Sequence, residues 1–211
     1  MPMARFHRFG LAIILLFGAG ASVVRALPTA AQIRAAFTAM DTSGNDAISA
    51  DEWDRASFAL FHAADKNKND FIDADELQAS NIAQDTFLRA DTDHDGRLSL
   101  SEFMELRRAI FRIADIDRDD NLVYVEFELL VLMEQVGWID HNHDGRIELS
   151  ELKESLTKAF EQLDTDHDGK LSAAEAAYMP AAQFKKFDKN HDGLLSLEEY
   201  IAGYRVAVFG G

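Results

Sequence analysis

Residues 164–175 read DTDHDGKLSAAE, and the order of residue types in these twelve positions predicts their local structure. Acids occupy its first, third and fifth positions, glycine its sixth and glutamate its twelfth. The glycine predicts a sharp turn with positive φ, because glycine adopts that backbone conformation without steric cost. The alternating acids bring several carboxylates around one tight loop. Such a loop offers oxygen ligands to a cation.

The same pattern recurs along the chain at intervals of 24 to 26 residues. A fixed period of this size is typical of stacked supersecondary units. An apolar residue lies four places before each first aspartate, as Phe160 does here, and another follows each glutamate. This periodicity predicts a helix, a polar loop and a second helix in every unit. We number the loops one to seven: residues 41–52, 65–76, 91–102, 115–126, 140–151, 164–175 and 188–199.

Loops three, five, six and seven have the complete pattern. Calcium suits them because it is a hard cation that takes six to eight oxygen ligands, often with one bidentate carboxylate. The loops resemble those of the EF-hand family of calcium-binding proteins, to which calmodulin belongs. The resemblance implies side-chain oxygens from positions one, three and five, a backbone carbonyl from position seven and a bidentate glutamate at position twelve. The ligands so implied are Asp91, Asp93, Asp95, Arg97 and Glu102; Asp140, Asn142, Asp144, Arg146 and Glu151; Asp164, Asp166, Asp168, Lys170 and Glu175; and Asp188, Asn190, Asp192, Leu194 and Glu199.

Loops one, two and four depart from the pattern, because Asp46, Asp70 and Asp120 stand where glycine is expected. Aspartate tolerates positive φ better than most residues, so these loops remain candidates. Loop four keeps four acids at ligand positions and is expected to bind calcium, whereas loop two has fewer charges and loop one has only two acids. Their candidate ligands are Asp115, Asp117, Asp119 and Glu126 in loop four, Asp65, Asn67, Asn69 and Glu76 in loop two, and Asp41, Ser43, Asn45 and Glu52 in loop one.

Position eight is apolar in every loop. In the EF-hand family this residue joins two loops, so the resemblance implies an all-α fold of tandem helix-loop-helix units with short antiparallel bridges between paired loops. Breakers follow loops two, four and six, at Ser80-Asn81, Gly137 and Pro180, and indicate turns between helices. We therefore predict that loop two pairs with three, four with five and six with seven, leaving loop one alone. The short period leaves open that neighbouring loops share a helix.

The composition is acidic, with a formal net charge of -16 and a hydrophobic fraction of 47% that is ample for a core. Ligand positions one, three, five, nine and twelve hold 24 of the 37 acids, which favours cation binding over a merely solvated surface. The charge argues against nucleic acid or anionic membranes as partners. Without metal the carboxylates repel one another, so the metal-free protein should unfold more easily.

Residues 1–26 have the layout of a signal peptide. Two arginines precede an uncharged run, Phe9 to Val24, whose sixteen residues are fewer than the roughly 20 that span a bilayer. Cleavage is predicted after Ala26, with Ala19-Gly20-Ala21 as an earlier option, and the EF-hand array then occupies 27–211. Resemblance to exported short-repeat EF-hand proteins of bacteria implies a secreted or periplasmic protein without stable membrane insertion, although an organelle lumen is an alternative.

Two functions fit this sequence. One is a calcium buffer or calcium-stabilised structural protein; the other is a calcium sensor that exposes an apolar groove to an unidentified protein partner. Sensor grooves favour methionine, and only four of the six methionines lie beyond residue 26, which favours the buffer. Four loops have histidine at position four, with His62 and His141 nearby, but position four normally faces solvent. The sequence contains no cysteine nucleophile, glycine-rich phosphate loop or metalloprotease motif, so catalysis is not expected.

Overall fold

The computed structural model describes residues 27–76, 87 and 90–210. The predicted signal peptide and the Ser80-Asn81 breaker lie outside these residues. The described helices are α1 (Ala30–Met40), α2 (Ala50–Ala64), α3 (Leu100–Ala114), α4 (Tyr124–Val136), α5 (Leu149–Leu163), α6 (Ala181–Phe187) and α7 (Leu197–Phe209). The described strands are β1 (Ala47–Ser49), β2 (Phe71–Ile72), β3 (Leu98–Ser99), β4 (Asn121–Val123), β5 (Lys170–Ser172) and β6 (Leu194–Ser196). The all-α fold with short antiparallel bridges is therefore confirmed.

The loops themselves start and stop the helices. At the start of α2, the Ser49 hydroxyl accepts a hydrogen bond from the Glu52 N–H, and the Glu52 carboxylate accepts one from the Ser49 N–H. This reciprocal capping box satisfies two N–H groups that a helix start leaves unpaired. The same helix ends where the Asp65 N–H donates to the Phe61 carbonyl at 2.9 Å. The glutamate at position twelve thus serves both the loop and the helix that follows.

Helices α2, α3 and α5 each connect two successive loops: one with two, three with four, and five with six. Each is an unbroken helix of fifteen residues. The absence of breakers in these segments correctly predicted helices without a turn, and neighbouring loops do share them. The phenylalanine four places before each loop is buried wherever it occurs, at Phe37, Phe61, Phe87, Phe111, Phe160 and Phe184, and Val136 takes the same place before loop five.

Two of the predicted loop pairs are confirmed. Strand β2 of loop two pairs with β3 of loop three, with Ile72 opposite Leu98. Strand β5 of loop six pairs with β6 of loop seven, with Leu171 opposite Leu195. All four of these position-eight side chains are fully buried, so each bridge closes over apolar contacts.

The predicted pairing of loop four with loop five is wrong, and loop one is not alone. Strand β1 of loop one pairs with β4 of loop four, with Ile48 opposite Leu122. The shared helices explain this pairing. Helices α2 and α3 pack side by side, and the β2–β3 bridge joins the end of α2 to the start of α3. The two helices must then run antiparallel, which brings the loops at their other ends together.

Loop five is the loop without a bridge, because residues 146–148 form no strand. Its helix α5 packs on α7, and the β5–β6 bridge joins the end of α5 to the start of α7. Loop five therefore lies toward the far end of α7, away from the β5–β6 bridge. Its position-eight residue, Ile147, is nevertheless buried.

Two units lack a regular helix where one was expected. Residues 173–178 after loop six form turns, and Pro180 then precedes α6. The Ala177 carbonyl in this turn accepts a hydrogen bond from the Ala30 N–H at 3.1 Å, so it caps α1 instead of extending a helix of its own. Before loop five, α4 ends at Gly137, whose φ of 83° stops the helix, and residues 137–140 are irregular.

Helix α4 is the centre of the core. It contacts α1, α3, α5 and α7, and its side chains from Val125 to Met133 are buried on every face. Trp53 is also buried, with its indole N–H donating to the Arg107 carbonyl at 2.9 Å. Trp138 is only partly buried. Among the described residues, no helix combines the length and the apolar character needed to cross a membrane.

Substitution of Gly203 by alanine is expected to destabilise this core. Gly203 lies in α7 against the buried ring of Phe187, and a Cβ atom at this position would overlap that ring. The ring cannot move freely because it packs edge-on against Tyr204 at 5.1 Å. We expect Gly203→Ala to lower the free energy of unfolding by about 1–3 kcal/mol, the usual range for overpacking.

Thermal or denaturant unfolding measures this effect. Glycine to alanine normally stabilises a helix by about 1 kcal/mol, so the sign itself is diagnostic. The neighbouring exposed position provides the control, and Ala202→Ser should stay within about 0.5 kcal/mol of the wild type. A stabilised Gly203→Ala variant would contradict the close packing of α7 on Phe187.

Candidate metal centres

All seven loops share one hydrogen-bond frame around the aspartate at position one. Its Oδ2 atom accepts a hydrogen bond from the backbone N–H of position six in every loop. The donor–acceptor distances are 3.0–3.2 Å for Asp46, Asp70, Gly96, Asp120, Gly145, Gly169 and Gly193. The loops without glycine therefore close in the same way as the complete ones.

The glutamate at position twelve closes each loop from the other side. In loop two, Glu76 Oε1 accepts from the Lys66 N–H at 2.7 Å, and Glu76 Oε2 accepts from the Asp73 N–H at 3.2 Å. Glu102, Glu126, Glu151, Glu175 and Glu199 accept from the matching positions of their own loops, two and nine. Glu52 accepts from the Ser43 N–H at position three and from the Ser49 N–H at position nine. Every such carboxylate is held across its loop.

Positions three and five complete the frame. In loop three, Asp93 Oδ1 accepts from the Asp95 N–H at 3.1 Å, and Asp95 Oδ1 accepts from the Arg97 N–H at 2.8 Å. The corresponding bonds recur in loops two, four, five, six and seven. Loop one differs at position three, where the Ser43 hydroxyl donates to Asp41. In each of these hydrogen bonds the accepting side-chain oxygen keeps a second lone pair, which can bind a cation.

Positive φ occurs at positions four and six of every loop. The three aspartates at position six have φ of 62–64°, so their tolerance of this conformation is confirmed. The position-four histidines, His94, His143, His167 and His191, also have positive φ and are exposed, as expected for residues that face solvent. The backbone path therefore does not depend on glycine at position six.

Substitution of Gly96 isolates the cost of this conformation. Its φ is 80°, and an added Cβ atom would meet no atom within 4 Å. The expected loss for Gly96→Ala is about 1–2 kcal/mol of unfolding free energy, all of it from the backbone, because left-handed conformations disfavour a Cβ atom. Gly96→Asn should lose less, since asparagine visits this region more readily. Thermal unfolding in excess calcium measures both variants, and equal losses would contradict the argument.

The acidic side chains converge in a way that fits a cation. Ligand atoms of three acids lie within 4.8 Å of one another in loops three, four and six: Asp91, Asp93 and Glu102; Asp115, Asp117 and Glu126; and Asp164, Asp166 and Asp168. In loops five and seven, the Oδ1 atoms of Asp140 and Asp188 are buried without a hydrogen-bond partner. A buried carboxylate oxygen without a partner is costly unless a cation or another donor satisfies it. The residues present therefore fit a bound cation.

Loop four has an unusual closing glutamate. Burial raises the pKa of Glu126 to about 7, opposed by the Val123 N–H and assisted by the negative charge of Asp117. Position nine is serine in four other loops, and valine offers no hydroxyl there. In loop one, burial also raises the pKa of Glu52, but hydrogen bonds led by the Ser49 N–H outweigh it and lower that pKa to about 2. A cation entering loop four near neutral pH therefore competes with a proton for this carboxylate.

Two position-specific contacts were not foreseen in the sequence. The Lys170 ammonium at position seven of loop six lies 2.7 Å from an Asp192 oxygen at position five of loop seven, and so links the paired loops. The Arg118 guanidinium of loop four lies 3.5 Å from Glu148 of loop five. Loops four and five therefore touch through side chains although they share no bridge.

A buried polar network connects α4 to the helices around loop seven. Glu128 Oε1 accepts hydrogen bonds from the Tyr204 hydroxyl and the Gln183 amide, both at 2.7 Å. The Tyr178 hydroxyl lies 3.0 Å from the Tyr204 hydroxyl and 2.7 Å from the Tyr200 hydroxyl. Burial raises the pKa of Glu128 to about 7. The sequence signal for this network is an acid directly before the apolar run Leu129 to Met133 of α4, two residues after the loop-four glutamate.

A second buried group joins α2 to α3. The Arg107 guanidinium lies over the Trp53 ring, 4.1 Å from its centroid, and its Nε–H donates to the Ser57 hydroxyl at 3.0 Å. Burial raises the pKa of Glu134 on α4 to about 8, and the charge of Arg107 opposes that shift. These residues hold the core together and lie apart from the loops.

A comparison with protein-family models identifies five segments of the chain. The model described as EF hand matches residues 59–79, 83–106, 139–157, 156–175 and 181–202. These segments contain loops two, three, five, six and seven. Loops one and four lie outside the matches, although the structure gives them the same frame and pairs them with each other. No curated protein matches the chain.

Proposed function

The chain belongs to the EF-hand family of calcium-binding proteins, and on that premise we propose that it is an exported calcium buffer or calcium-stabilised structural protein. The observation that carries the proposal is the frame common to all seven loops, in which position one accepts from the N–H of position six and position twelve accepts from the N–H of position nine, whether or not position six is glycine. A protein with this many similar loops binds calcium in bulk.

The donor chemistry supports calcium as the ion in the loops. Every predicted side-chain ligand is an oxygen of aspartate, asparagine, serine or glutamate, as hard cations require. The glutamate at position twelve can also offer both carboxylate oxygens to one ion, which suits the larger, more flexible coordination of calcium better than the strict octahedron of magnesium. The residues named in the sequence analysis stay the predicted ligands.

The distribution of apolar surface favours the buffer over the sensor. The loops already have their closed frame, and in this state the helices cover most of their large apolar side chains. Among the described residues, the exposed large ones are Phe58 on α2, Leu149 on α5, and Val206 and Phe209 on α7. They are spread over three helices, include no methionine, and differ from the methionine-rich groove that a sensor offers to its partner.

Export is supported by the signal-peptide layout of residues 1–26. Beyond the predicted cleavage site, Thr29 forms a capping box with Gln32 at the start of α1, and Leu27 packs partly against the core. Cleavage after Ala26 would keep Leu27 and this contact in the mature chain. N-terminal sequencing of the protein from its native host should give Leu27 as the first residue. A mature chain that still begins at Met1 would overturn export.

Calorimetric titration of calcium into the metal-free chain tests the function. Circular dichroism and a dye for apolar surface are followed on the same samples, with magnesium titrated as the control ion. Binding of at least five calcium ions, a rise in helicity and no new dye binding are expected. Saturation below four ions would overturn the multi-site proposal. Dye binding that increases with calcium would overturn the buffer in favour of the sensor.

A further inference from the structure

A cluster of one histidine and two aspartates lies where α2 runs into loop two. His62 is in the last turn of α2, Asp65 is position one of the loop and Asp70 is position six. One ligand atom from each of the three lies within 4.8 Å of the other two. Among the described groups that could hold a metal ion, this one contains a nitrogen donor and the other three contain only carboxylates.

Loop two combines two features that bring this cluster about. Asp70 replaces the glycine of the complete loops and adds a carboxylate at a turn with φ of 64°. His62 stands three places before the first aspartate, where no other loop has a histidine. Loops one and four have the extra aspartate but carry Thr38 and Arg112 at the histidine position. The cluster is therefore specific to loop two within the repeat.

The donors are already oriented. Asp65 is buried, and its Oδ1 and Oδ2 accept from the N–H groups of Asn69 at 3.2 Å and Asp70 at 3.0 Å. Each oxygen keeps a second lone pair, so Asp65 can serve the loop with one oxygen and a second ion with the other. The His62 ring is exposed and lies edge-on to Phe58 at 4.3 Å, which restricts its rotation.

The geometry points to a second kind of metal site, in which His62, Asp65 and Asp70 bind a divalent transition ion of the zinc class. Calcium takes oxygen ligands, whereas an imidazole nitrogen suits zinc, copper or nickel. Three protein ligands from histidine and carboxylates, with water as the fourth, is a common zinc arrangement. This inference goes beyond calcium binding and does not depend on whether loop two takes calcium.

Zinc titration of the full chain in excess calcium tests the site, with calorimetry and the NMR signals of the His62 ring as readouts. His62→Ala and Asp70→Gly should each weaken zinc binding at this site at least about tenfold, because loss of even an outer-shell partner costs about 10- to 100-fold. Asp70→Gly is the sharper variant. Glycine is the residue that the complete loops have at this turn, so a loss of zinc affinity there cannot come from a strained or unfolded loop.

Two matched control variants test whether a loss of zinc binding is specific to this cluster. One removes a different histidine, and the other makes the same aspartate-to-glycine change in a different loop. His141→Ala removes a histidine that pairs with Glu154 outside the cluster, and Asp46→Gly makes the same change in loop one, which lacks the histidine. Both should leave the site unchanged. Zinc binding that survives His62→Ala and Asp70→Gly, or that both controls weaken equally, would overturn the inference. The calcium isotherm of each variant is measured separately, so failure of calcium binding is distinguished from failure of the zinc site.

Discussion

Removal of calcium is expected to lower the melting temperature of this protein by about 15 to 30 °C. At about 1 mM free calcium, a site with a dissociation constant of about 0.1 mM adds about 1.4 kcal/mol to the free energy of unfolding. Five such sites add about 7 kcal/mol, which is comparable to the whole stability of an ordinary domain. For a chain of this size each kcal/mol corresponds to about 2–4 °C. The measurement is thermal unfolding by circular dichroism with and without a chelator.

Adding salt in the same experiment distinguishes two causes of the lower melting temperature: the loss of bound calcium and the repulsion between carboxylates. The chain carries a net charge of -16, and its acids are concentrated in the loops. If repulsion alone destabilised the metal-free form, then about 1 M sodium chloride, which shortens the screening length to about 3 Å, should restore the melting temperature. We expect salt to restore only a small part of it and calcium to restore all of it. A melting temperature that a chelator lowers by only a few degrees would contradict calcium-dependent stability.

The local features of this fold could be predicted because each depends on a few neighbouring residues. An aspartate followed eleven places later by a glutamate fixes a loop and the start of the next helix, since Glu52 closes both. The apolar residue at position eight predicted the bridges in six loops, and the buried Ile147 of loop five kept the pattern without a bridge. These features needed no knowledge of which helices pack together.

The pairing of loops could not be predicted in this way, because it depends on contacts between distant segments. Ile48 and Leu122 are far apart in sequence, and no residue near either one specifies the other. Breakers correctly marked which helices continue, but the choice of partner follows from the packing of α2 on α3. The sequence left open that neighbouring loops share a helix. Once the shared helices α2 and α3 pack together, loop two pairs with loop three and loop one pairs with loop four.

The buried polar network could not be predicted from the sequence, for a different reason. Glu128 is one acid among 37, and it stands two places after a predicted calcium ligand. Only its apolar surroundings on α4 distinguish it. In the structure it accepts from Tyr204 of α7 and Gln183 of α6, so the helix that leaves loop four is tied to both helices around loop seven. Polar partners that come from three separate helices cannot be identified before the packing of those helices is known.

The β1–β4 bridge predicts that calcium binding at loop one depends on loop four. Loop one has only Asp41 and Glu52 as acids at its ligand positions, and its strand is held against Asn121 to Val123 of loop four. We expect Glu126→Gln to abolish strong binding at loop four. Because a coupling of about 1–3 kcal/mol between sites corresponds to about 5- to 150-fold in affinity, loop one should weaken by that factor. The number of strongly bound calcium ions should therefore fall by two.

The unpaired loop provides the matched control for this prediction. Glu151 closes loop five by accepting from the His141 and Glu148 N–H groups, at positions two and nine. Glu126 accepts from the same two positions of loop four, but loop five has no bridge. Glu151→Gln should remove one calcium ion and leave loop one unchanged. The amide NMR signal of Gly44 reports loop one directly, since this glycine lies inside it.

Thermodynamic reciprocity between two coupled sites adds a quantitative condition to this prediction. If loop four raises the affinity of loop one by some factor, then loop one must raise the affinity of loop four by the same factor. Glu52→Gln, which disables only the closing carboxylate of loop one, should therefore weaken calcium binding at loop four by the amount that Glu126→Gln weakens loop one. Equal factors from the two variants would establish the two loops as one coupled pair. An unchanged Gly44 titration in Glu126→Gln would show instead that the bridge joins the loops in space without joining their affinities.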